Sequence, residues 1–144
     1  MRATDWAYLA GVLDSDGSIQ IARSKLGKNK RRAYALRIYV TNSDKGLIDW
    51  LTTSVGGTSA ICNQAAPLHH KTVWRWYARG HEALPILNSL LPYLRVRKQR
   101  AKLGLQFGPT LKAARGQRLS PDEDQLRQRL FLLMREMNTR GRTR

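Results

Sequence analysis

The chemistry this sequence offers lies in two carboxylates and in a set of basic and polar residues at strand spacing. The acids end the stretch Tyr8-Leu9-Ala10-Gly11-Val12-Leu13-Asp14-Ser15-Asp16-Gly17. Ala7, Gly11 and Ser15 recur every fourth residue, so a helix gathers them into one stripe of small side chains. Asp16 stands where that stripe runs out. If the stripe packs against its own copy, the contact is isologous, and two Asp16 carboxylates come side by side at a two-fold axis. Twin carboxylates flanking two phosphodiesters suit hydrolysis assisted by a divalent metal, because Mg²⁺ takes few carboxylates and completes its shell with water and phosphate oxygens. The plainer alternative is ordinary helix packing with an Asp-rich last turn.

The elements that must position these acids follow from the hydrophobic period. Thr4 is the expected N-cap of a first helix, Asp5 favours its first turn, and Gly17 ends it; Leu9, Val12 and Leu13 form its core stripe. The period then changes to two. Ile19 and Ile21 point inward, with Ser18, Gln20, Ala22 and Ser24 on the other side. A basic loop, Lys25 to Arg32, leads into a return strand from Ala33 to Thr41, with Tyr34, Leu36, Ile38 and Val40 inward and Arg37 and Tyr39 outward. Ser43 caps an expected helix from Asp44 to Val55, stopped by Gly56-Gly57. A second hairpin runs from Thr58 to Asn63 and back from Thr72 to Arg79. Trp74 and Trp76 face the core there, and Val73, Arg75 and Tyr77 the polar side. The connection between these strands holds Pro67 and the pair His69-His70, which cannot share one metal on regular backbone. Helices are expected at Gly80–Leu91 and Leu94–Phe107, and one opens at Ser120-Pro121-Asp122-Glu123 with a capping box and a stripe of Leu126, Leu130, Leu133, Met134 and Met137. Thr139 to Arg144 should fray.

The composition narrows the partners. A chain of 144 residues with a net charge of +16 fits a polyanion, nucleic acid first and an anionic membrane surface second. No apolar run approaches the ~20 residues of a membrane span, and the start of the chain carries no charged-then-apolar signal pattern. The single cysteine, Cys62, excludes an intrachain disulfide and a thiolate zinc finger. Arginines outnumber lysines, which suits forked contacts to phosphate and guanine.

The expected fold is α+β: a four-stranded antiparallel, saddle-shaped sheet with helices on one face, in the order αββαββα plus C-terminal helices. Residues 1–144 read as one domain, with 108–144 a helical extension and frayed tail. The uncovered sheet face would carry Ser18, Gln20, Ser24, Arg37, Tyr39, Asn63, Arg75 and Tyr77, with Lys25, Lys28, Lys30, Arg31 and Arg32 at its rim. Strands of ~8 residues at ~3.3 Å each extend ~26 Å, about eight base pairs at ~3.4 Å rise. Such a ribbon fits a major groove, where polar side chains read base edges and the basic run anchors phosphates. Any one of these residues alone is more simply a solvated strand position; their shared parity favours the interface.

Leu9-Ala10-Gly11-Val12-Leu13-Asp14-Ser15-Asp16-Gly17 resembles the signature of the LAGLIDADG homing endonucleases, in a single copy, as in members that work as homodimers. The resemblance covers roughly residues 5 to 107. It implies a Mg²⁺-dependent endonuclease (Mn²⁺ or Ca²⁺ as substitutes, no small-molecule cofactor) that cuts double-stranded DNA at a long pseudo-palindromic target and is intron-encoded. It also implies an intracellular site of action, in a prokaryotic cytoplasm or nucleoid or an organelle matrix, and no membrane partner. By the same resemblance Asp16 and the Ser15 carbonyl contact metal, and Asn42 matches a polar residue that orients the hydrolytic water. Arg97 matches a lysine near the scissile phosphate, and the reacting cation is either Arg97 itself or, in a shifted register, Lys98. Asp14 reads as structural. The alternative function is a non-cleaving nucleic-acid binder on the same scaffold, a splicing maturase or a DNA-binding regulator.

Overall fold

A computed structural model describes residues 1–24, 33–62, 71–111 and 119–139. Lys25, Lys28, Lys30, Arg31, Arg32 and Asn63, together with Pro67, His69-His70 and the tail beyond Thr139, lie outside the described residues.

Helix α1 (Ala3–Asp16) runs directly into strand β1 (Gly17–Arg23). Its N-cap is Arg2 rather than Thr4, and the Asp5 carboxylate accepts the Arg2 backbone N–H at 3.1 Å, so the acid expected in the first turn does the capping. Gly17 permits the abrupt change from helix to strand: a Cβ there would stand 2.8 Å from Leu13 Cα and 2.9 Å from its carbonyl oxygen. Strand β2 (Tyr34–Asn42) follows, then α2 (Lys45–Ser54), capped by Asp44, whose carboxylate accepts from Leu47 N–H at 3.1 Å. The cap therefore falls one residue after the expected Ser43. Gly56 and Gly57 take φ of 97° and 82°, the left-handed turn for which glycine is suited. That turn is held from both sides: Trp76 Nε1 donates to the Gly56 carbonyl at 2.6 Å, and Gly57 N–H donates to Glu82 at 2.9 Å.

Strands β3 (Thr58–Ile61) and β4 (Trp74–Arg79) complete the sheet, and both are shorter than the alternation predicts. A 3₁₀ turn over Gly80–Glu82 precedes α3 (Ala83–Leu90), so the expected single helix is split. Helix α4 (Lys98–Phe107) begins four residues later than expected, and α5 (Pro121–Thr139) opens on the reciprocal Ser120–Glu123 capping box, at 3.1 and 3.2 Å.

The sheet is antiparallel, in the order β1-β2-β4-β3. Ile19, Ile21, Leu36, Ile38, Val40, Trp76 and Ala78 face the helices and are buried with Leu9, Ala10 and Leu13 of α1 and Ile48 and Leu51 of α2. Helix α5 packs on β1 and α4. It buries Leu130, Phe131 and Met134 and leaves Leu133 41% exposed, which corrects the expected stripe. The face is set by Phe131, whose ring lies 5.6 Å from that of Tyr34, and by two polar residues on the same side. Arg127 donates to the Thr110 hydroxyl and carbonyl, and Asn138 donates to the Ile19 carbonyl on the outer strand. Among the described residues, no helix is long and apolar enough to cross a membrane.

Candidate nucleic-acid interface and acidic site

All helices lie on one side of the sheet, so its other face is bare. The strand register places Ser18 opposite Tyr39 and Tyr39 opposite Tyr77; in the next row Gln20 faces Arg37, and Arg37 faces Arg79. Thr41 and Arg75 form a further row. The expected face residues of β1, β2 and β4 thus share one face, and those of β2 and β4, Arg37, Tyr39, Arg75 and Tyr77, line with Arg79 and the end of β3 a depression of about 370 Å³. Several side chains are already held. Tyr39 hydroxyl donates to Gln20 Oε1 at 2.6 Å, and Gln20 Nε2 donates to the Ser18 hydroxyl at 3.1 Å. The Arg75 guanidinium lies 5.0 Å from the Tyr39 ring centre, and that of Arg79 lies 5.8 Å from Tyr77. No carboxylate pairs with Arg37, Arg75 or Arg79 among the described residues. Ser24 is placed differently: its hydroxyl accepts the Ala33 N–H at 2.9 Å and so closes the base of the hairpin.

The acids sit at one end of this sheet. Asp16, the last residue of α1, is exposed, and Asn42, the last of β2, donates from Nδ2 to Asp16 Oδ2 at 3.4 Å. Asn42 points to the helix side of the sheet, and its Oδ1 accepts the Asp44 N–H at 2.8 Å, so the amide is oriented from both ends. Ser15 turns its hydroxyl back onto the Gly11 and Val12 carbonyls at 3.1 and 3.2 Å. Ala7, Gly11 and Ser15 are all exposed, and a Cβ built at Gly11 meets nothing within 4 Å.

Asp14 is turned the other way. Its two carboxylate oxygens accept the backbone N–H groups of Arg95 at 2.8 Å and Arg97 at 2.9 Å. Arg97 answers by donating Nε to the Leu13 carbonyl at 2.7 Å. This reciprocal grip ties the end of α1 to the turn before α4. It explains why residues 94–97 are not helical, since Asp14 satisfies N–H groups that the helix would otherwise use. Burial and the neighbouring Arg100 lower the Arg97 guanidinium from its ordinary pKa, with Asp14 opposing them, and an arginine so placed stays charged at neutral pH. The Arg97 side chain is therefore half-buried and engaged. Lys98, the first residue of α4, is exposed, and its side chain has no hydrogen bond or ion pair among the described residues.

Comparison with protein-family models and with curated protein sequences finds no match. Solved structures do match. The homing endonuclease I-CvuI, in complex with its target, aligns at a TM-score of 0.77 and 21% identity, over 94% of this chain and 82% of that one. The archaeal intron-encoded homing endonuclease I-Vdi141I, complexed with DNA, gives 0.73 at 11% identity over 93% of this chain and 84% of that one. The LAGLIDADG homing endonuclease I-GzeII, in complex with a DNA target, gives 0.61 at 16% identity over 90% of this chain and 43% of that one.

This chain has the LAGLIDADG homing-endonuclease fold.

Within the LAGLIDADG fold, two residues join the bare face that the sequence reading left out. Arg79 follows Tyr77 by two and shares its side; the alternation that marked Arg75 and Tyr77 extends to it. Thr41 shares the parity of Arg37 and Tyr39, and its hydroxyl accepts from Arg75 Nε at 3.3 Å. No group of three or more His, Cys, Asp and Glu stands close enough to hold a metal among the described residues. Asp16 is one carboxylate beside an amide and a main-chain carbonyl.

Proposed function

We propose that this protein is a site-specific DNA endonuclease that acts as a homodimer, making a divalent-metal-dependent double-strand break at a long pseudo-palindromic target. The reading rests most on one observation: Asp16 and Asn42 meet where an exposed stripe of small residues ends, at the end of a sheet whose bare face holds arginines with no carboxylate partner among the described residues. Two copies joined through Ala7, Gly11 and Ser15 would carry two such faces along one duplex and bring their Asp16 carboxylates to its centre. The sheet face supplies the contacts to double-stranded DNA, with Lys25, Lys28, Lys30, Arg31 and Arg32 reaching phosphates. Residues 1–144 act as one domain, and the compartment is that of the target DNA, a prokaryotic cytoplasm or an organelle matrix.

The donor set fits a hard cation: the Asp16 carboxylate, the Ser15 carbonyl and phosphate oxygens are all oxygen ligands, and Mg²⁺ accepts so few protein groups when substrate completes its shell. Bound there, the ion would polarise the phosphate and make a water molecule more acidic. The chain's own residues do the rest. Asn42 fixes the direction of the Asp16 carboxylate and keeps an amide N–H to align the attacking water. Arg97, anchored through Nε on the Leu13 carbonyl, acts as a positioning residue, and the exposed Lys98 is the cation for the charge that develops on the phosphate.

The test uses duplexes recovered from a randomised library by binding, then incubated with and without Mg²⁺ and resolved on a denaturing gel. Cuts on both strands with Mg²⁺, none with EDTA, and binding without cutting by Asp16→Asn are the expected results. Nicking by Asp16→Asn at the normal rate would sink the metal assignment. Because Arg97 is engaged within the fold, a non-cleaving binder is the second reading, and uncut complexes under Mg²⁺ and Mn²⁺ would establish it.

A further inference from the structure

Arg75 differs from the other arginines of the bare face in being held on two sides. Its Nε donates to the Thr41 hydroxyl across the strand pair at 3.3 Å. Its guanidinium lies 5.0 Å from the centre of the Tyr39 ring. Tyr39 is braced in turn, since its hydroxyl donates to Gln20 at 2.6 Å and Gln20 donates to Ser18 at 3.1 Å. The relay crosses β1, β2 and β4 and fixes a side chain that would otherwise lose rotamer freedom on binding. The Arg37 side chain, by contrast, has no hydrogen bond, ion pair or ring contact among the described residues.

We infer that Arg75 reads a guanine in each half of the target. This rests on the DNA-reading role proposed above for the sheet face. With Nε committed to Thr41, the two terminal nitrogens remain as a parallel pair of donors, and the pattern they match is the O6 and N7 acceptor pair that only guanine shows in the major groove. Position supports a base over a phosphate. Arg75 lies on β4, an inner strand in the order β1-β2-β4-β3, and a ribbon lying in the groove turns its central strands toward the base edges. Its neighbour across β3 is Ala60, too small to obstruct the approach. Gln20 acts here as a strut: its carbonyl oxygen and one N–H are taken up by Tyr39 and Ser18, so its amide is not offered as the free donor–acceptor pair that adenine needs.

Selection from randomised duplexes, run in parallel on the wild type, Arg75→Ala and Tyr39→Phe, tests this. The wild type should enrich guanine at one fixed position in each half-site. Arg75→Ala should lose that preference and keep the others, with cognate affinity falling roughly ten- to a hundredfold. Tyr39→Phe keeps the ring and releases Gln20, so guanine should persist at that position with affinity lowered a few-fold, on the order of one immobilised side chain. An unchanged consensus from Arg75→Ala overturns the inference. So does a uniform loss across all sequences with a salt slope lower by about one, the mark of a phosphate contact. A wild type that enriches no sequence at all overturns the DNA-reading role itself, which is a separate result.

Discussion

Asp14 and Asp16 stand two residues apart and should fail in opposite ways when neutralised. Asp14 accepts two backbone N–H groups, from Arg95 and Arg97, at 2.8 and 2.9 Å, while Asp16 is exposed and accepts one long contact from Asn42 at 3.4 Å. A hydrogen bond to a charged group contributes about 1.5–3 kcal/mol, and the lower end applies to groups that water partly reaches. Asp14→Ala removes both bonds and should cost about 3 kcal/mol. Asp14→Asn keeps one acceptor and turns an NH₂ toward the other N–H, so it should cost about 1.5–2 kcal/mol, a fall in Tm of roughly 3–8 °C for a domain of this size. Asp16→Asn should change stability by less than about 0.5 kcal/mol. Urea melts of the three variants, followed by circular dichroism, measure these differences. The turn that Asp14 holds leads straight into Lys98, so Asp14→Asn should also slow cleavage at temperatures where it is fully folded. Equal stability for Asp14→Asn and the wild type would refute the account of Asp14. A large loss of stability in Asp16→Asn would refute the view that its position serves chemistry over folding.

Three other substitutions probe separate parts of the reading. Arg79→Gln removes one member of the cross-strand pair Arg37–Arg79, so the free protein should gain about 0.2–1 kcal/mol in a urea melt while duplex affinity falls in a band-shift assay. Gly11→Leu places a bulky side chain where a Cβ meets nothing within 4 Å, so on the proposed pairing the subunit should fold normally and sediment as a monomer, and the wild type should sediment as a dimer. Phe131→Ala empties the contact among α5, Tyr34 and the Arg23 guanidinium, which lies 4.4 Å from the ring centre. It should cost about 3–5 kcal/mol in the same melt and raise amide exchange throughout α5.

What the sequence made legible depended on whether its signal was local. Period-two alternation is local, and it placed Ile19, Leu36, Ile38, Val40 and Trp76 in the core and Gln20, Arg37, Tyr39, Arg75 and Tyr77 on the bare face. The Ser120–Glu123 capping box is local too, and it set the start of α5. The start of α4 was not legible in this way. Leu94 and the basic residues after it continue a helical pattern, yet the N–H groups of Arg95 and Arg97 are taken by Asp14, 81 and 83 positions earlier in the chain. For the same reason Arg97 could be matched to a motif position without its partner, the Leu13 carbonyl, being visible. On α5 a leucine-rich helix offers more than one apolar face. Phe131 displaced Leu133 because β2 presents Tyr34 and the outer strand β1 presents the Ile19 carbonyl, and no local pattern encodes that.

The distribution of charge is more informative than its sum. A net charge of +16 alone is compatible with loose adhesion to any polyanion. Yet the acids in the described part of the chain are engaged mainly on the helix side. Asp5, Asp14 and Asp44 hold backbone N–H groups, Asp49 pairs with Lys45, and Glu82 holds the Gly57 turn. The bare face keeps Arg37, Arg75 and Arg79 without a carboxylate, two of them directly opposed across β2 and β4. Like charges so opposed disfavour the free fold, and an acid on Ser18 or Thr58 of the neighbouring row would relieve them. Its absence there concentrates positive potential on the bare face of the sheet. Binding should therefore be confined to that face, with steep salt dependence that weakens stepwise as Arg37 and Arg79 are removed and stays unchanged when Arg127, which donates Nε and one terminal nitrogen to Thr110, is exchanged for lysine.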